Sequence, residues 1–556
     1  MNIQSTCKVD KDWWRGAVIY EVYLRSYQDS NGDGVGDLKG LAQRLHYIKS
    51  LGVDAVWISP FFKSPMKDFG YDVSDYNDVD PLFGDMDDFD EVIEIAHSLG
   101  IKIMIDLVLS HTSEQHPWFK ESRSNNHNLR EDWYVWADAK ADGTAPNNWL
   151  SIFGGSAWTW DTTRCQYYMH NFLSCQPDLN FHNSQVQDAV LDVARFWLDR
   201  GVDGFRLDTI NFYFCDKLLR DNPALPIQQR NSNIAPSVNP YNFQNHLYDK
   251  NQPENLEFLE RLRSLMDEYP ATAAVGEVGD AQYGMKILAD YTHGNQRMQM
   301  CYSFEFLSGD APRAQSIEAV LKRFMEEAPD SWSCWAFSNH DVVRHATRWA
   351  ENMPDKGAYL RLLAVLILSL RGSVCLYQGE ELGLPEADLV YEDLQDPYGI
   401  KFWPTFKGRD GCRTPMPWLK SDQYAGFSDN KPWLPISEQH RALSIDQQTQ
   451  DSDSLFSFYQ RMLLLRQQHP VLSKGELGAL RREGDVLQYV RYDGVVSILC
   501  VFNISDQPVQ LDLTCSAPTM LNTELFEAEL HGQTLSLPAW GATMLCLNSL
   551  ETVEEK

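Results

Sequence analysis

The chain has 556 residues, 43% of them hydrophobic, and 17 Trp, which suits two or three domains around a large buried core. Acidic residues outnumber basic ones 78 to 48, and the net charge of -30 disfavours nucleic acid and anionic membrane surfaces as partners; its plain consequence is solubility. Eleven cysteines without CxxC or Cys/His zinc spacing indicate reduced thiols rather than a disulfide framework.

The opening "MNIQSTCKVDKDWWRG" lacks the continuous apolar segment of a signal peptide, so a soluble cytoplasmic protein is expected. "AVIYEVYLRSY" reads as a strand and "LKGLAQRLHYIKSL" as an amphipathic helix. Between them lies "DSNGDGVGDLKG". A phosphate-binding turn fails here. Gly32, Gly34 and Gly36 alternate, Asp37 stands where the third glycine belongs, and Asp29, Asp33 and Asp37 repel phosphate. The alternating oxygens of Asp29, Asn31, Asp33 and Asp37 resemble the start of an EF-hand loop, yet its twelfth position is Gly40 where a bidentate Glu belongs. Two readings stay open at this point: a small Ca²⁺ or Mg²⁺ site that holds the loop, or a metal-free turn rich in Asx side chains.

Strand-like runs at 17–23, 53–58, 101–108, 204–208, 273–277, 301–304, 334–338 and 373–377 alternate with longer helical patterns, which predicts a parallel sheet closed into a (β/α)₈ barrel. Two intervals exceed ordinary connections. Residues 111–182, rich in Trp and Asn, are expected to form a small inserted domain after the third strand, dividing the barrel into 1–110 and 183–470. Residues 220–253, rich in Pro and Asn, are either disordered or a lid. "LLAVLILSL" from Leu362 is about half a membrane span and belongs to a helix. From 471 to 556 short alternating strands such as "VVSILCVFN" predict a C-terminal antiparallel β-sandwich, with "ETVEEK" as a frayed tail.

Acids recur at the ends of these runs: Asp106, Asp208, Glu277, and Asp341 just beyond one. In a barrel such ends share one mouth, where crowded like charges need function, cations or protonation to persist. Arg206, two residues before Asp208, faces the same side of its strand. Unequal carboxyl groups suit glycosidic cleavage, one ionised and one protonated. A two-metal hydrolase using His111 and His340 is the alternative that spacing leaves open.

"DLVLSHTS", "GFRLDTINF", "AVGEVGD" and "FSNHDVVR", in this order, resemble the four short regions of glycoside hydrolase family thirteen, the alpha-amylase family. "QPDLNF", "NNWLSIFGGSAW" and "GRDGCRTPMPW" resemble its α-glucosidase and oligo-1,6-glucosidase branch. The resemblance implies Asp208 as nucleophile, Glu277 as general acid/base and Asp341 as a third carboxylate that grips sugar hydroxyls. It also implies hydroxyl-binding roles for His111 and His340, an aromatic platform at Tyr71, and a pairing of Asp68 with Arg413 around the non-reducing glucose. Asp106, Arg206 and Thr209 fall within the matched motifs and belong to the same pocket. Related enzymes hold a structural Ca²⁺ or Mg²⁺ in the first βα loop, which implies Asp29, Asn31, Asp33, Asp37 and the Val35 carbonyl as ligands, with no organic cofactor. Ser110 stands where many members have Asn. Thr209 occupies a position that is often Val in enzymes for α-1,6 bonds and a hydroxyl-bearing or small residue in those for α-1,4. The resemblance therefore points to a retaining, exo-acting α-glucosidase for short α-1,4-glucosides, with glucosyl transfer as a second outcome. Sucrose-, trehalose- or α-1,6-directed enzymes and a non-catalytic barrel subunit are the alternatives, and monomer or homodimer is left open.

Overall fold

A computed structural model of the protein describes residues 10–307, 309–515 and 518–547. Eight strands form one parallel sheet: β1 (Val18–Val22), β2 (Ala55–Ile58), β3 (Lys102–Leu107), β4 (Gly204–Leu207), β5 (Ala273–Val278), β6 (Met300–Ser303), β7 (Cys334–Ala336) and β8 (Ser373–Tyr377). Their spatial order is β6-β5-β4-β3-β2-β1-β8-β7, and a parallel bridge between Cys301 and Ser333 joins the two ends into a barrel. Each is followed by an outer helix: α1 (Leu38–Leu51), α2 (Met86–Ser98), α3 (Ser184–Asp199), α4 (Asn255–Met266), α5 (Gly284–Thr292), α6 (Ala314–Glu327), α7 (Lys356–Ser369) and α8 (Leu455–Gln468). The expected eight runs match these strands to within a few residues.

The two-residue period of the strands sorts their side chains into two cores. Tyr20, Val56, Ile105 and Phe205 turn outward onto the helices. Ile19, Trp57, Met104, Val275 and Tyr302 turn into the barrel. The same parity carries the inward row on to Glu21, Asp106, Arg206 and Glu277, all buried near the carboxyl ends of their strands. Alternation alone thus collects the chain's inward charges at one end of the barrel.

Helix α7 contains "LLAVLILSL" and is buried on nearly every side. It is apolar all round because the barrel lies on one side and the C-terminal domain on another. That domain is a sandwich of a five-stranded and a three-stranded antiparallel sheet. Leu487, Tyr489, Cys500 and Phe502 on one face of the larger sheet join the main core, while Val490, Leu499, Val501 and Leu545 on the other meet Leu535 and Leu537 of the smaller sheet. Its first strand starts at Glu476, and residue 471 lies in a short helix, Pro470–Lys474.

After β3, three short strands, Trp136–Ala137, Trp158–Asp161 and Gln166–Met169, form an antiparallel sheet within the interval expected to hold an insert. A two-stranded ribbon, Phe62–Lys63 with Asp75–Val79, also follows β2, where the polar "DYNDV" gives no strand signal. The interval 220–253 has no α-helix or strand, only the 3₁₀ turns Ile227–Gln229 and Pro240–Phe243, yet it is packed in place. Trp149 Nε1 donates to Arg220 O at 2.8 Å, Asn148 and Asn222 exchange hydrogen bonds, and Asn239 Nδ2 donates to Ile152 O at 2.7 Å. Ala235 and Tyr241 pack against Ile152 and Phe153 of the insert. Its Asn residues serve as caps and bridges to backbone, which is how a segment without an apolar period becomes a wall rather than a loose loop. The side chain of Lys250 roots its far end, donating to Gly279 O at 2.8 Å with Asp280 Oδ2 3.4 Å away.

No described helix is long and apolar enough to cross a membrane. The cysteines from Cys165 to Cys546 are free thiols. Residues 1–9 and the stretch "ETVEEK" lie outside the described residues.

The buried Arg491 guanidinium donates to Ser369 O, Leu472 O and Gly475 O at 2.6, 2.6 and 2.7 Å, joining the C-terminal sheet to α7 and the chain beyond α8. Arg491→Met strips three carbonyls of a donor, of which Leu472 O keeps Arg466 Nη1 at 2.8 Å, and each group left unsatisfied in the interior costs about 1–3 kcal/mol. Calorimetry is expected to show a midpoint lowered by several degrees, the C-terminal domain unfolding first; an unchanged thermogram would contradict the role.

Candidate active site

Asp208 directly follows β4, and the backbone turns sharply there. Thr209 has φ 38° and ψ 53°, left-handed values that a β-branched residue adopts only under constraint. The turn aims the Thr209 N–H at Glu277 Oε2, 3.1 Å away, and its hydroxyl at Asp208 Oδ2, 3.2 Å away. One residue therefore contacts both carboxyl groups.

Arg206 holds the same two groups from below. Nη1 donates to Asp208 Oδ1 at 2.6 Å and to both Asp106 oxygens at 3.0 and 3.1 Å, while Nη2 donates to Glu277 Oε2 at 2.7 Å. Tyr302 OH accepts from Nη2 at 2.9 Å, and the Trp57 ring lies 4.8 Å from the guanidinium carbon. Arg206 has no exposed surface, so its charge is balanced only by these carboxyls.

Burial and the negative charges of Asp208 and Asp341 push Glu277 from 4.5 up to about 8, against the opposing pull of Arg206. Asp106, buried and facing Asp208, is also pushed up. Asp341 goes the other way. Burial would raise it, but His340, Arg409 and Arg413 together hold it well below the usual carboxylate range. The mouth thus contains a carboxyl that keeps its proton at neutral pH beside one, Asp341, that does not, the division that acid catalysis needs.

His340 lies between the rings of Tyr23 and Tyr71, stacked at 5.6 and 5.5 Å. Its Nδ1 is 2.5 Å from Glu21 Oε1, and its Nε2 is 2.7 Å from Tyr71 OH and 3.2 Å from Asp341 Oδ2. Burial raises Glu21 above the usual carboxylate range and lowers His340 below that of a free imidazole. His111 Nε2 is 3.0 Å from Tyr71 O, and its Nδ1 meets Ser110 Oγ at 2.8 Å. Ser110, which departs from the usual Asn, orients His111.

The expected partner of Asp68 is corrected. Asp68 Oδ1 accepts from Arg409 Nη2 at 2.8 Å and Oδ2 from Gln176 Nε2 at 3.1 Å, whereas Arg413 donates to Asp341 Oδ1 at 2.8 Å and to His340 O at 2.7 Å. Arg409 and Arg413 flank the 3₁₀ turn Asp410–Cys412, which directs the first toward the insert side and the second beneath the loop after β7. Arg409 also grips Asp396 and reaches Asp341 Oδ1 at 3.2 Å.

These groups line a cavity of about 810 Å³ at the carboxyl ends of the strands. Asp68, Tyr71, His111, Asp208, Thr209, Glu277 and Asp341 of the expected set face it, joined by Arg409. Asp106, Arg206, His340 and Arg413 stand behind that surface and orient the groups that form it. Sequence reading passed over Arg409, Glu21, Gln176 and the aromatic wall of Phe153, Phe172, Phe212 and Tyr398. Strand parity would have found Glu21. "GRDG" and "QPD" lie inside matched motifs, so Arg409 and Gln176 were within reach.

Away from the mouth, the first βα loop folds as consecutive Asx turns. Asp29 Oδ1 accepts from Asn31 N and Gly32 N, Asn31 Oδ1 from Asp33 N, Asp33 Oδ1 from Val35 N, and Asp37 Oδ1 from Gly40 N as the cap of α1. Among the described residues no three His, Cys, Asp or Glu side chains are grouped to hold a metal.

A proton-bearing Glu and an arginine-bound Asp at the mouth of a (β/α)₈ barrel make a site built for acid-assisted displacement at a sugar carbon. The family model described as alpha amylase, catalytic domain, matches residues 21–475, and the chain belongs to the alpha-amylase family of glycoside hydrolases. It is 59% identical over 538 residues to a probable alpha-glucosidase of Rhizobium meliloti strain 1021, spanning 97% of this chain and 98% of that one. It is 35% identical over 536 residues to an oligo-1,6-glucosidase of Heyndrickxia coagulans, spanning 90% and 94%. The crystal structure of the alpha-glucosyl transfer enzyme XgtA matches with a TM-score of 0.93 at 52% identity, covering 96% of this chain and 99% of that one.

Two outcomes follow from the geometry. With Glu277 at about 8, kcat/KM holds through neutral pH and falls as pH rises past about 8, where the donor loses its proton; a pH profile flat to pH 10 would contradict this. Arg409→Leu leaves the buried Asp68 without its cation. Losing one partner of such a pair costs about 2–5 kcal/mol, so kcat/KM is expected to fall at least about thirtyfold. A change under threefold would return the role to Arg413.

Proposed function

We propose that the protein is a retaining α-glucosidase that removes one glucose from the non-reducing end of short α-glucosides. Asp208 attacks the anomeric carbon while Glu277 gives its proton to the departing oxygen. Water or another hydroxyl then enters, deprotonated by the Glu277 carboxylate, and releases Asp208. Asp68 with Arg409, together with His111 and Asp341, offers hydrogen bonds to a terminal glucose, and Tyr71 offers a ring to its CH face. The observation that carries the reading is the shared guanidinium: one Arg206 binds both carboxyls, which suits the close spacing of retaining enzymes, about 5–5.5 Å, better than the wide spacing of inverting ones. A cytoplasmic setting suits the free thiols.

The 220–253 segment closes the acceptor side, with Asn233 and Ile234 at the cavity, and this favours disaccharide-sized substrates. Deleting Ile227–Asn239 is expected to raise activity on maltotriose and longer chains relative to maltose; an unchanged ratio refutes the restriction. Thr209, facing the cavity beside Asp208, supports α-1,4 linkage. A panel of maltose, isomaltose, sucrose and trehalose tests it, with maltose expected to lead and Thr209→Val to move the balance toward isomaltose.

The first loop suits one structural Ca²⁺ or Mg²⁺. Asp29 and Asp37 are buried, and their hydrogen-bond partners are backbone N–H groups and Ser428 rather than Lys or Arg. With Asp33, Asn31 and the Val35 carbonyl they would hold the ion, which steadies the loop and takes no part in bond cleavage. Adding Ca²⁺ after EDTA treatment is expected to raise the melting midpoint. No shift with either ion would leave the Asx turns as the whole account.

A further inference from the structure

One oxygen of Glu277 takes two donors. Arg206 Nη2 and the Thr209 N–H both donate to Oε2, at 2.7 and 3.1 Å, so the carboxyl proton resides on Oε1. The aim of Oε1 then depends on that pin at Oε2 and on the backbone that carries the residue. Glu277 is the last residue but one of β5, and the chain leaves the sheet through Gly279 and Asp280.

Three side chains clasp that exit. Asn211, in the 3₁₀ turn that follows Thr209, accepts from Gly279 N at 3.1 Å through Oδ1 and donates to Gly279 O at 3.3 Å through Nδ2. Lys250 Nζ donates to the same carbonyl at 2.8 Å and lies 4.9 Å from the centre of the Phe212 ring. Asn251 joins the two sides: its N–H donates to Asn211 O at 2.8 Å, its Oδ1 accepts from Asn211 Nδ2 at 2.8 Å, and its Nδ2 donates to Asp280 Oδ2 at 2.8 Å. Its φ of 61° is left-handed, a conformation asparagine tolerates, and it turns the chain out of the 220–253 wall into this clasp. Lys250 and Asn211 are buried. A buried ammonium is costly unless it is paired; here Asp280, also buried, is the partner, and the target is a carbonyl two residues beyond Glu277.

We propose that Lys250, with Asn251, is a positioning residue for Glu277: it fixes the backbone beyond the acid so that Oε1 meets the departing oxygen, an inference that rests on the retaining α-glucosidase reading of this site. In the step concerned, the bond between the anomeric carbon and the departing oxygen breaks as Asp208 forms its ester bond to that carbon. The electron pair stays on the departing oxygen, which takes the Oε1 proton and leaves as an alcohol. With Oε1 misplaced, the oxygen departs as an anion, at a cost set by its own basicity.

The test compares phenyl, 4-nitrophenyl and 2,4-dinitrophenyl α-glucosides, whose rings are alike and whose departing oxygens differ in basicity. Because a placed general acid contributes about 10²–10⁴-fold, Lys250→Met is expected to lower kcat/KM on the phenyl glucoside at least about tenfold more than on the dinitrophenyl one. The ratio is a quantity that partial loss of folded enzyme does not move. Asn251→Gly, which keeps the left-handed backbone and removes only the side chain, is expected to change the ratio in the same direction. A loss that is equal across the three substrates in both variants, or no loss at all, overturns the positioning role alone. No cleavage of any of the three by the wild-type enzyme overturns the α-glucosidase reading and the positioning role with it.

Discussion

One buried guanidinium sets the terms for the rest of the site. Arg206 has no exposed surface and binds Asp106, Asp208 and Glu277 at once. Three carboxyls cannot all ionise at such range around a single positive charge, so the protons are divided among them. Arg206 and the Thr209 hydroxyl both meet Asp208, and burial with the nearby negative charges keeps the proton on Glu277. Placement alone thus gives two ordinary carboxyl side chains unequal surroundings. The strain at Thr209 belongs to the same device, since only that turn brings its N–H to one carboxyl and its hydroxyl to the other.

Around this centre the structure separates tasks by depth. The barrel supplies Asp208 and Glu277 to the cavity from the ends of β4 and β5. A layer behind the cavity surface, Glu21, His340, Asp106 and Arg413, orients the groups that face a sugar. Loops supply recognition: Arg409 beyond β8, the insert's Phe153 and Phe172, and the wall from 220 to 253 rooted by Lys250. Rigid strands thus hold the chemistry while connecting segments set what may enter, the usual division in a barrel enzyme.

Much of this was legible in the sequence, for identifiable reasons. A two-residue period marks which strand positions point inward, so charges ending the runs at 106, 208 and 277 signalled a common mouth before any coordinates. What escaped was contact between distant segments. Arg409 and Arg413 are equivalent by composition, and only the turn between them decides which one meets Asp68. Glu21 hides inside an apolar strand. The 220–253 interval has no period to betray its packing, because its stability comes from side chains bonded to backbone of the insert. The strand Asp75–Val79 buries only Tyr76 and Val79 among three polar residues and reads as loop.

The proposed reading is that Asp208, held by Arg206, attacks a sugar whose departing oxygen Glu277 protonates. It is tested most directly by trapping the intermediate. The enzyme is incubated with 5-fluoro-α-glucosyl fluoride, digested, and the labelled peptide sequenced by mass spectrometry. The account predicts one fluoroglucosyl adduct, an ester on Asp208, and none in an Arg206→Met variant that still folds. An adduct on another carboxylate, or hydrolysis that yields β-glucose without any adduct, would contradict it.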